Sequence, residues 1–366
     1  RKGIPKTFSA NFTPLLGEKG VTSPIGKAID IIAVIGTISG VCCSLGISCM
    51  QIAGGLHLKF DVPINNATYT IIILVVTALF TLSAVSGINR GIKILSEWNI
   101  KVIIALMIFV FAAGPTRYIL NIFTEGIGAY LANLPWMSFF TDANGEVAKN
   151  TGYDWMNSWT IMYWAWWIAW IPFVGTFLSR ISKGRTIRQL VIGSMLIPTA
   201  FCIVFIAIMG GTAIHIELFQ GGGFAKYVFD DTATNAFMLL NYLPLASIVQ
   251  FVLLISITVF YITSADSATF ILGMMTSGGQ NNPNIYVKVF WGSILGGFAI
   301  VLMLIGGLKT MQNANITLAL PLTVLELIAI YTIMKSFKSG TEYVEDAITV
   351  DTDTYEKEKV IQNQYA

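Results

Sequence analysis

Four aromatic residues in one stretch are spaced to hold a cation. In SWTIMYWAWWIAWIPFVGTFLSRISKGRTIR (158–188), Tyr163, Trp166, Trp167 and Trp170 fall at i, i+3, i+4 and i+7, which is one face of a helix. Trp170 stands ten residues before Arg180, about 15 Å along a helix at 1.5 Å per residue. Half the hydrocarbon thickness of a bilayer is also about 15 Å. An interfacial aromatic belt occupies the ends of a span, whereas this cluster would sit near the midplane. Three indoles there form a box for a cation without N–H donors. A trimethylammonium group accepts no hydrogen bond, and ring faces hold it instead. Aromatics that merely pack or face lipid are the alternative that spacing alone leaves open. Pro172 has no N–H for the Ile168 carbonyl, so a break or kink is expected there, with Gly175 adding freedom. Interrupted helices at the midplane are where carriers hold substrates and ions.

A second cluster lies in FYITSADSATF (260–270), where Thr263, Ser264, Asp266 and Ser267 interrupt an apolar run. Hydroxyls in such helices bond back to their own i−4 carbonyls or tie helices together. The functional reading is an oxygen site for a small hard cation, made from hydroxyls and a carbonyl. Asp266 is a functional candidate because an intramembrane carboxyl is costly to keep. Further upstream, Thr37, Ser39, Gly40 and Ser44 lie in another apolar run, and close packing explains all but Thr37. Glu326 lies about 13 Å before Lys335 at helical rise and has no assigned role.

These residues need helices to place them. Apolar runs of about 20 residues span a bilayer, and eight occur, at roughly 28–55, 70–89, 102–122, 158–179, 189–212, 245–275, 286–308 and 313–334. A chain in lipid must satisfy its own backbone groups, so each is helical. Arg1, Lys2, Lys6 and Lys19 precede the first run. Arg90, Lys93 and Lys101 follow the second, Arg180, Lys183, Arg185 and Arg188 the fourth, and Lys335 and Lys338 the eighth. The alternate loops are poor in Lys and Arg, so the positive-inside rule puts both ends of the chain in the cytoplasm. Residues 121–140 carry Ile122, Ile127, Leu131 and Leu134 at helical spacing, which predicts an amphipathic helix on the outer face rather than a ninth span. The acidic tail, 339–366, has too little apolar content to fold alone and is expected to be disordered.

Composition agrees with a membrane protein. Of 366 residues 55% are hydrophobic and 11% charged, with a mean hydropathy of +0.70. A soluble domain carries about 25% charge. The 22 basic residues are balanced by 20 acidic ones, which excludes a nucleic-acid reader with its basic face. Cys42, Cys43, Cys49 and Cys202 lie in apolar runs without zinc-site spacing and read as packing residues. There is no GxxxxGK[ST], HExxH or GxSxG motif, and His57 and His215 are far apart, so neither an ATP-driven pump nor a hydrolase is indicated. No catalytic residue and no cofactor is expected. The chain begins Arg1-Lys2-Gly3, without Met, which reads as a cut or late start.

The run YWAWWIAWIPFVGTFLSRISKGRTIRQ (163–189), together with AIDIIAVIGTISGVCCSLGISCMQI (28–52) and TSADSAT (263–269), resembles the betaine–choline–carnitine transporter family over residues 1 to about 338. The resemblance implies an all-α membrane protein with the LeuT-type inverted-repeat fold, twelve spans and a homotrimer, of which this chain looks like spans five to twelve. Residues 1–338 would then be the transporter domain, an incomplete bundle of eight transmembrane helices. In it, 27–122 is the remainder of the first repeat, 123–157 the outer loop with its amphipathic helix, and 158–334 the second repeat. Trp166, Trp167 and Trp170, with Tyr163 beside them, match the substrate residues. Thr263, Ser264 and the Phe260 carbonyl match one sodium site, and Thr37 with the Phe173 carbonyl a second. There the chain departs from the family pattern, because Val41 stands one turn after Thr37 where a second Thr is common, and valine offers sodium no oxygen.

The expected function is uptake of a small quaternary-ammonium solute, glycine betaine first, by sodium symport through the cell membrane. The alternatives are a proton-coupled choline or carnitine transporter, a non-transporting membrane sensor, or a nonfunctional fragment. A sensor would need a folded output domain, which the short polar tail does not offer.

Overall fold

The computed structural model describes residues 6–338 apart from 87–88, 183, 222, 226–232 and 281. The acidic tail 339–366 lies outside the described residues, as do Arg1, Lys2 and Lys183 of the basic loops. No strand occurs among the described residues. A 3₁₀ turn, Phe8–Phe12, leads through α1 (Thr13–Val21) into the long α2 (Pro24–Phe60). Then follow α3 (Asn66–Ser86), α4 (Asn89–Ala113), α5 (Thr116–Phe139) and α6 (Glu146–Thr151). A π turn, Met156–Ile161, opens α7 (Met162–Ile181), and α8 (Ile187–Phe219), α9 (Asn235–Leu240), α10 (Ala246–Thr276) and α11 (Ile285–Lys338) complete the bundle.

Local sequence sets several of these boundaries. Ser23 caps α2 by accepting from Gly26 N, with Pro24 at the first helical position, where its missing N–H costs nothing. Asp61 ends that helix in the left-handed region, at φ 56°. Thr186 and Gln189 form a reciprocal capping box at the start of α8. Among the described residues seven helices are long and apolar enough to cross a membrane, and α5 is not one of them.

The eight expected runs and these seven helices are reconciled in α11. Its 54 residues would reach about 80 Å if straight, far beyond a bilayer. The helix is interrupted at Gly306 and at Gly307 (φ 62°, ψ −150°). Contacts with α2 show what the interruption does. Cys42 Sγ meets the Leu295 carbonyl and Gly46 faces Met303, so 285–305 runs parallel to α2. Gly36 faces Leu322, Ser39 bonds Asn315, and Gly46 also faces Met311, so 308–338 runs antiparallel to it. The chain reverses at the two glycines, and α11 is two spans. The expected boundary near 309–312 moves to 306–307, because the polar KTMQNAN stretch stays helical.

Three other expectations change. The third span does not reach residue 122. It stops at Ala113, where Gly114 is restricted by the following Pro115 and turns the chain, with Thr116 N bonding the Gly114 carbonyl. The surface helix therefore starts at Thr116, five residues before the expected 121. Of its apolar positions, Ile122 packs against Gly211 of α8, whereas Leu131 and Leu134 are exposed. Last, of the break or kink expected at Pro172, a break is excluded, because α7 runs through Pro172 with no non-helical residue. One proline removes a single ladder bond, and the flanking turns hold the helix together.

α2 is the centre of the bundle, packing on α3, α7, α10 and both halves of α11. Its apolar stretch is 61% buried, against 6% for α8. The 3₁₀ turn is tied across the end of this core. Ser9 donates from N and Oγ to Asp30 (2.7 and 2.8 Å), and Thr332 Oγ1 donates to the Asn11 carbonyl (2.7 Å).

The reversal yields a stability test. Gly307 occupies a region open essentially to glycine, so Gly307→Val should destabilise the protein by about 1–3 kcal/mol. In α5, a Cβ at Gly126 meets nothing within 4 Å, and Gly126→Ala should be neutral or stabilising by up to about 1 kcal/mol. Thermal unfolding in detergent reads both. Equal effects of the two changes would refute the reversal.

Candidate functional site

The aromatic face of α7 meets α2 in an antiparallel register. The Trp166 indole N–H donates to the Gly40 carbonyl (3.2 Å) and to Ser44 Oγ (3.0 Å). One turn on, a Cβ at Gly40 would lie 3.0 Å from Ala169 Cβ and 3.1 Å from Trp170 Cδ1, so only glycine lets the Trp170 ring come this close. Continuing the register by a further turn brings Thr37 level with Phe173. The rings form a row along α7. Trp159 stacks on Tyr163, which is edge-on to Trp166 at 5.7 Å, and Trp170 is edge-on to Phe173 at 5.1 Å.

Trp170 walls a cavity of about 160 Å³ where α2, α7 and α10 cross. α2 contributes Val41, Ser44, Leu45 and Ser48, and α10 contributes Phe260, Tyr261, Ser264 and Ala265. No lining residue carries a formal charge. Ligand pockets commonly measure about 300–1,000 Å³, so this one suits a solute of few heavy atoms. Its chemistry is that of ring faces for an onium group and hydroxyls for an anion or metal ion.

The expected residues separate within this geometry. Trp170, Ser264 and Phe260 come together on the cavity wall, and Trp166 does not border it but bonds the wall residue Ser44. Thr263 lies beside them, donating back to the Val259 carbonyl (3.0 Å) and the Phe260 carbonyl (3.2 Å). Its proton is thereby committed, and its oxygen lone pairs face outward from that bond. Thr37 is fully buried and donates to the Ala33 carbonyl (2.8 Å). Tyr163 is 41% exposed and Trp167 68% exposed, on the flank that α2 does not cover. Asp266 does not border the cavity, and its Oδ1 is buried with no partner among the described residues.

Sequence reasoning treated Ser44 as packing and missed Ser48 and Tyr261. The signal was present as Gly40, Ser44 and Ser48 at four-residue intervals, a small polar stripe on an otherwise apolar helix. A clasp beyond the cavity was also missed. The Phe270 ring lies between Arg180 (Cζ at 4.4 Å) and Lys288 (Nζ at 5.1 Å), linking α7, α10 and α11 at one end of the bundle. Beyond the other end of α7, Asn157 donates from its amide and backbone to Asp154, which holds that carboxyl below the usual range.

The model of the betaine/carnitine/choline family transporters matches residues 1–342. The glycine betaine transporter OpuD of Bacillus subtilis (strain 168) is 43% identical over 353 residues, which are 96% of this chain and 67% of that protein. The ectoine/hydroxyectoine transporter of Virgibacillus pantothenticus is 38% identical, over 94% of this chain and 66% of its own length. The high-affinity choline transport protein of Escherichia coli (strain K12) is 33% identical, over 96% of this chain and 51% of its own length. The chain thus spans from about half to two-thirds of the length of these relatives. A helical bundle with seven membrane-length helices, matched almost throughout by one family, belongs to the betaine/carnitine/choline family, whose members are transporters and not enzymes.

Proposed function

We propose that this chain forms most of a secondary transporter that takes up a quaternary-ammonium compatible solute, glycine betaine first, by sodium symport. The observation that carries this reading is the uncharged cavity whose wall joins the Trp170 ring to the hydroxyls of Ser44 and Ser264. A permanent onium charge binds best to a ring face. A cavity without a fixed carboxylate leaves the solute's own carboxylate unopposed. The name of the glycine betaine relative at 43% identity supports the same solute. Trp167 and Tyr163, exposed on the flank beside the cavity, would close the box from that side.

Thr263, Ser264 and the Phe260 carbonyl are the proposed sodium ligands. Two of the three already touch, with Thr263 Oγ1 3.2 Å from the Phe260 carbonyl. The second proposed ion site, Thr37 with the Phe173 carbonyl, lacks an oxygen at Val41. The division into two inverted repeats, the homotrimer and a cell-membrane location with both ends of the chain cytoplasmic belong to the same proposal. An even number of spans supports the shared side for the ends.

A second reading is proton-coupled choline uptake, favoured by the choline relative at 33% identity. The ectoine relative adds a third solute to test.

Two experiments on the native transporter separate these readings. Trp170→Leu should weaken glycine betaine binding by up to about 2 kcal/mol, or roughly thirtyfold. Choline and ectoine as competitors rank the solute, and unchanged betaine affinity sinks the ring-face assignment. Thr263→Ala combined with Ser264→Ala should raise the sodium concentration for half-maximal uptake, with sodium-free betaine binding changing much less. If those hydroxyls only pack, thermal stability falls and sodium dependence stays intact. Uptake that ignores sodium and follows the proton gradient replaces symport with the choline-type reading.

A further inference from the structure

A second cavity is separate from the solute cavity and has no part in the transport reading given above. It measures about 540 Å³ and lies between the 3₁₀ turn, the second half of α7 and the last turns of α11. Glu326 borders it. That side chain is 91% buried (9% exposed), and its Oε1 has no hydrogen-bond partner among the described residues. A buried carboxyl oxygen without a partner is expensive to maintain and calls for an occupant.

The remaining polar groups define what that occupant is. Thr176 Oγ1 donates to the Pro172 carbonyl (2.7 Å), and Ser179 Oγ to the Thr176 carbonyl (2.8 Å). Asn11 Nδ2 donates to the Phe8 carbonyl (3.0 Å). The hydroxyl protons and one of the two Asn11 N–H groups are committed, so Thr176 and Ser179 present oxygen acceptors to the cavity beside Glu326. The rest of the wall is mostly apolar, including Ile171, Ile330 and Ile333. Lys6 also borders the cavity but is exposed, so its charge is screened by solvent at the mouth.

We propose that this cavity is a binding site for a small primary alkylammonium ion, whose N–H donors engage Glu326 and the neighbouring oxygens while its hydrocarbon lies along the isoleucines. The chemistry is opposite to that of the solute cavity. A quaternary ammonium has no N–H to give, and among the described residues Phe8 is the only aromatic ring on this wall. A lipid headgroup carries the same ammonium, but Glu326 lies twelve residues before Lys338, about 18 Å in from the end of the helix and too deep for it. The site borders Pro172 and Gly175 of α7, the helix that carries Trp170, so an occupant wedges between α7 and α11. It does not depend on which solute is transported.

The test is equilibrium binding of radiolabelled n-hexylammonium to the detergent-purified protein. Saturable binding is expected, weakened about tenfold or more by Glu326→Gln, through loss of a charge-assisted bond. Gly175→Leu should abolish it by filling the space, since a Cβ at Gly175 meets nothing within 4 Å and the backbone is not strained. Monodispersity and thermal unfolding confirm that both variants fold. n-Hexyltrimethylammonium should bind at least about tenfold more weakly than the primary amine. Added phosphatidylethanolamine should not compete. An affinity unchanged in both variants, or equal affinity for the trimethyl analogue, overturns the proposal. So does displacement by phosphatidylethanolamine, which makes the site a lipid site, or by glycine betaine, which puts the amine in the ring-lined cavity.

Discussion

At Gly40 the backbone of α2 comes so near α7 that one added methyl group would press on both Ala169 and the Trp170 ring. At Gly36 and Gly46 the same helix is met by Leu322 and by Met311 and Met303, and at Gly55 by Phe237 and Leu254. In a bilayer, packing has to supply what the hydrophobic effect supplies in water, and it does so by letting backbones approach. Glycines on several sides of one helix let it serve as a hub. The cavity is a product of that approach. It lies just past Gly40, where the small residues give way to Ser44, Leu45 and Ser48 and the helices part.

The same contact explains why the four-aromatic face of α7 divides. At 100° per residue, Trp166 and Trp167 point to opposite flanks of the line through Tyr163 and Trp170. One neighbouring helix can cover only one flank. α2 covers the Trp166 side, where the indole N–H finds the Gly40 carbonyl and Ser44. Trp166 is thus a strut that holds the register, leaving Trp170 to present its ring to the cavity, while Trp167 stays on the open side. Equivalent residue types at equivalent spacing acquire unequal tasks because the surroundings of the helix are not symmetric.

That asymmetry marks what could be read from the chain. Helix type and most span positions were legible, because they depend on local spacing and on groups within a few residues. The nearness of Trp170 to Ser264 was not, since those residues lie 94 positions apart on two helices whose packing depends on the whole bundle. Pro172 left break and kink both open, because a proline signals a lost bond, not whether the adjoining turns can absorb it. The stretch 309–312, at the start of the polar KTMQNAN run, looked like a loop. Asn315 of that run instead reaches Ser39 of α2, so the polar groups serve an interhelical bond within a continuing helix. The Gly306–Gly307 pair that does turn the chain sits in an apolar run, with no polar residue to mark it.

That turn also constrains how the protein is made. Two spans joined by two residues leave no slack for the first to settle in lipid while the second is still being threaded. Residues 285–305 and 308–338 therefore form a hairpin with only Gly306 and Gly307 between its two arms. Lys309 would then cross only as far as the reversal itself.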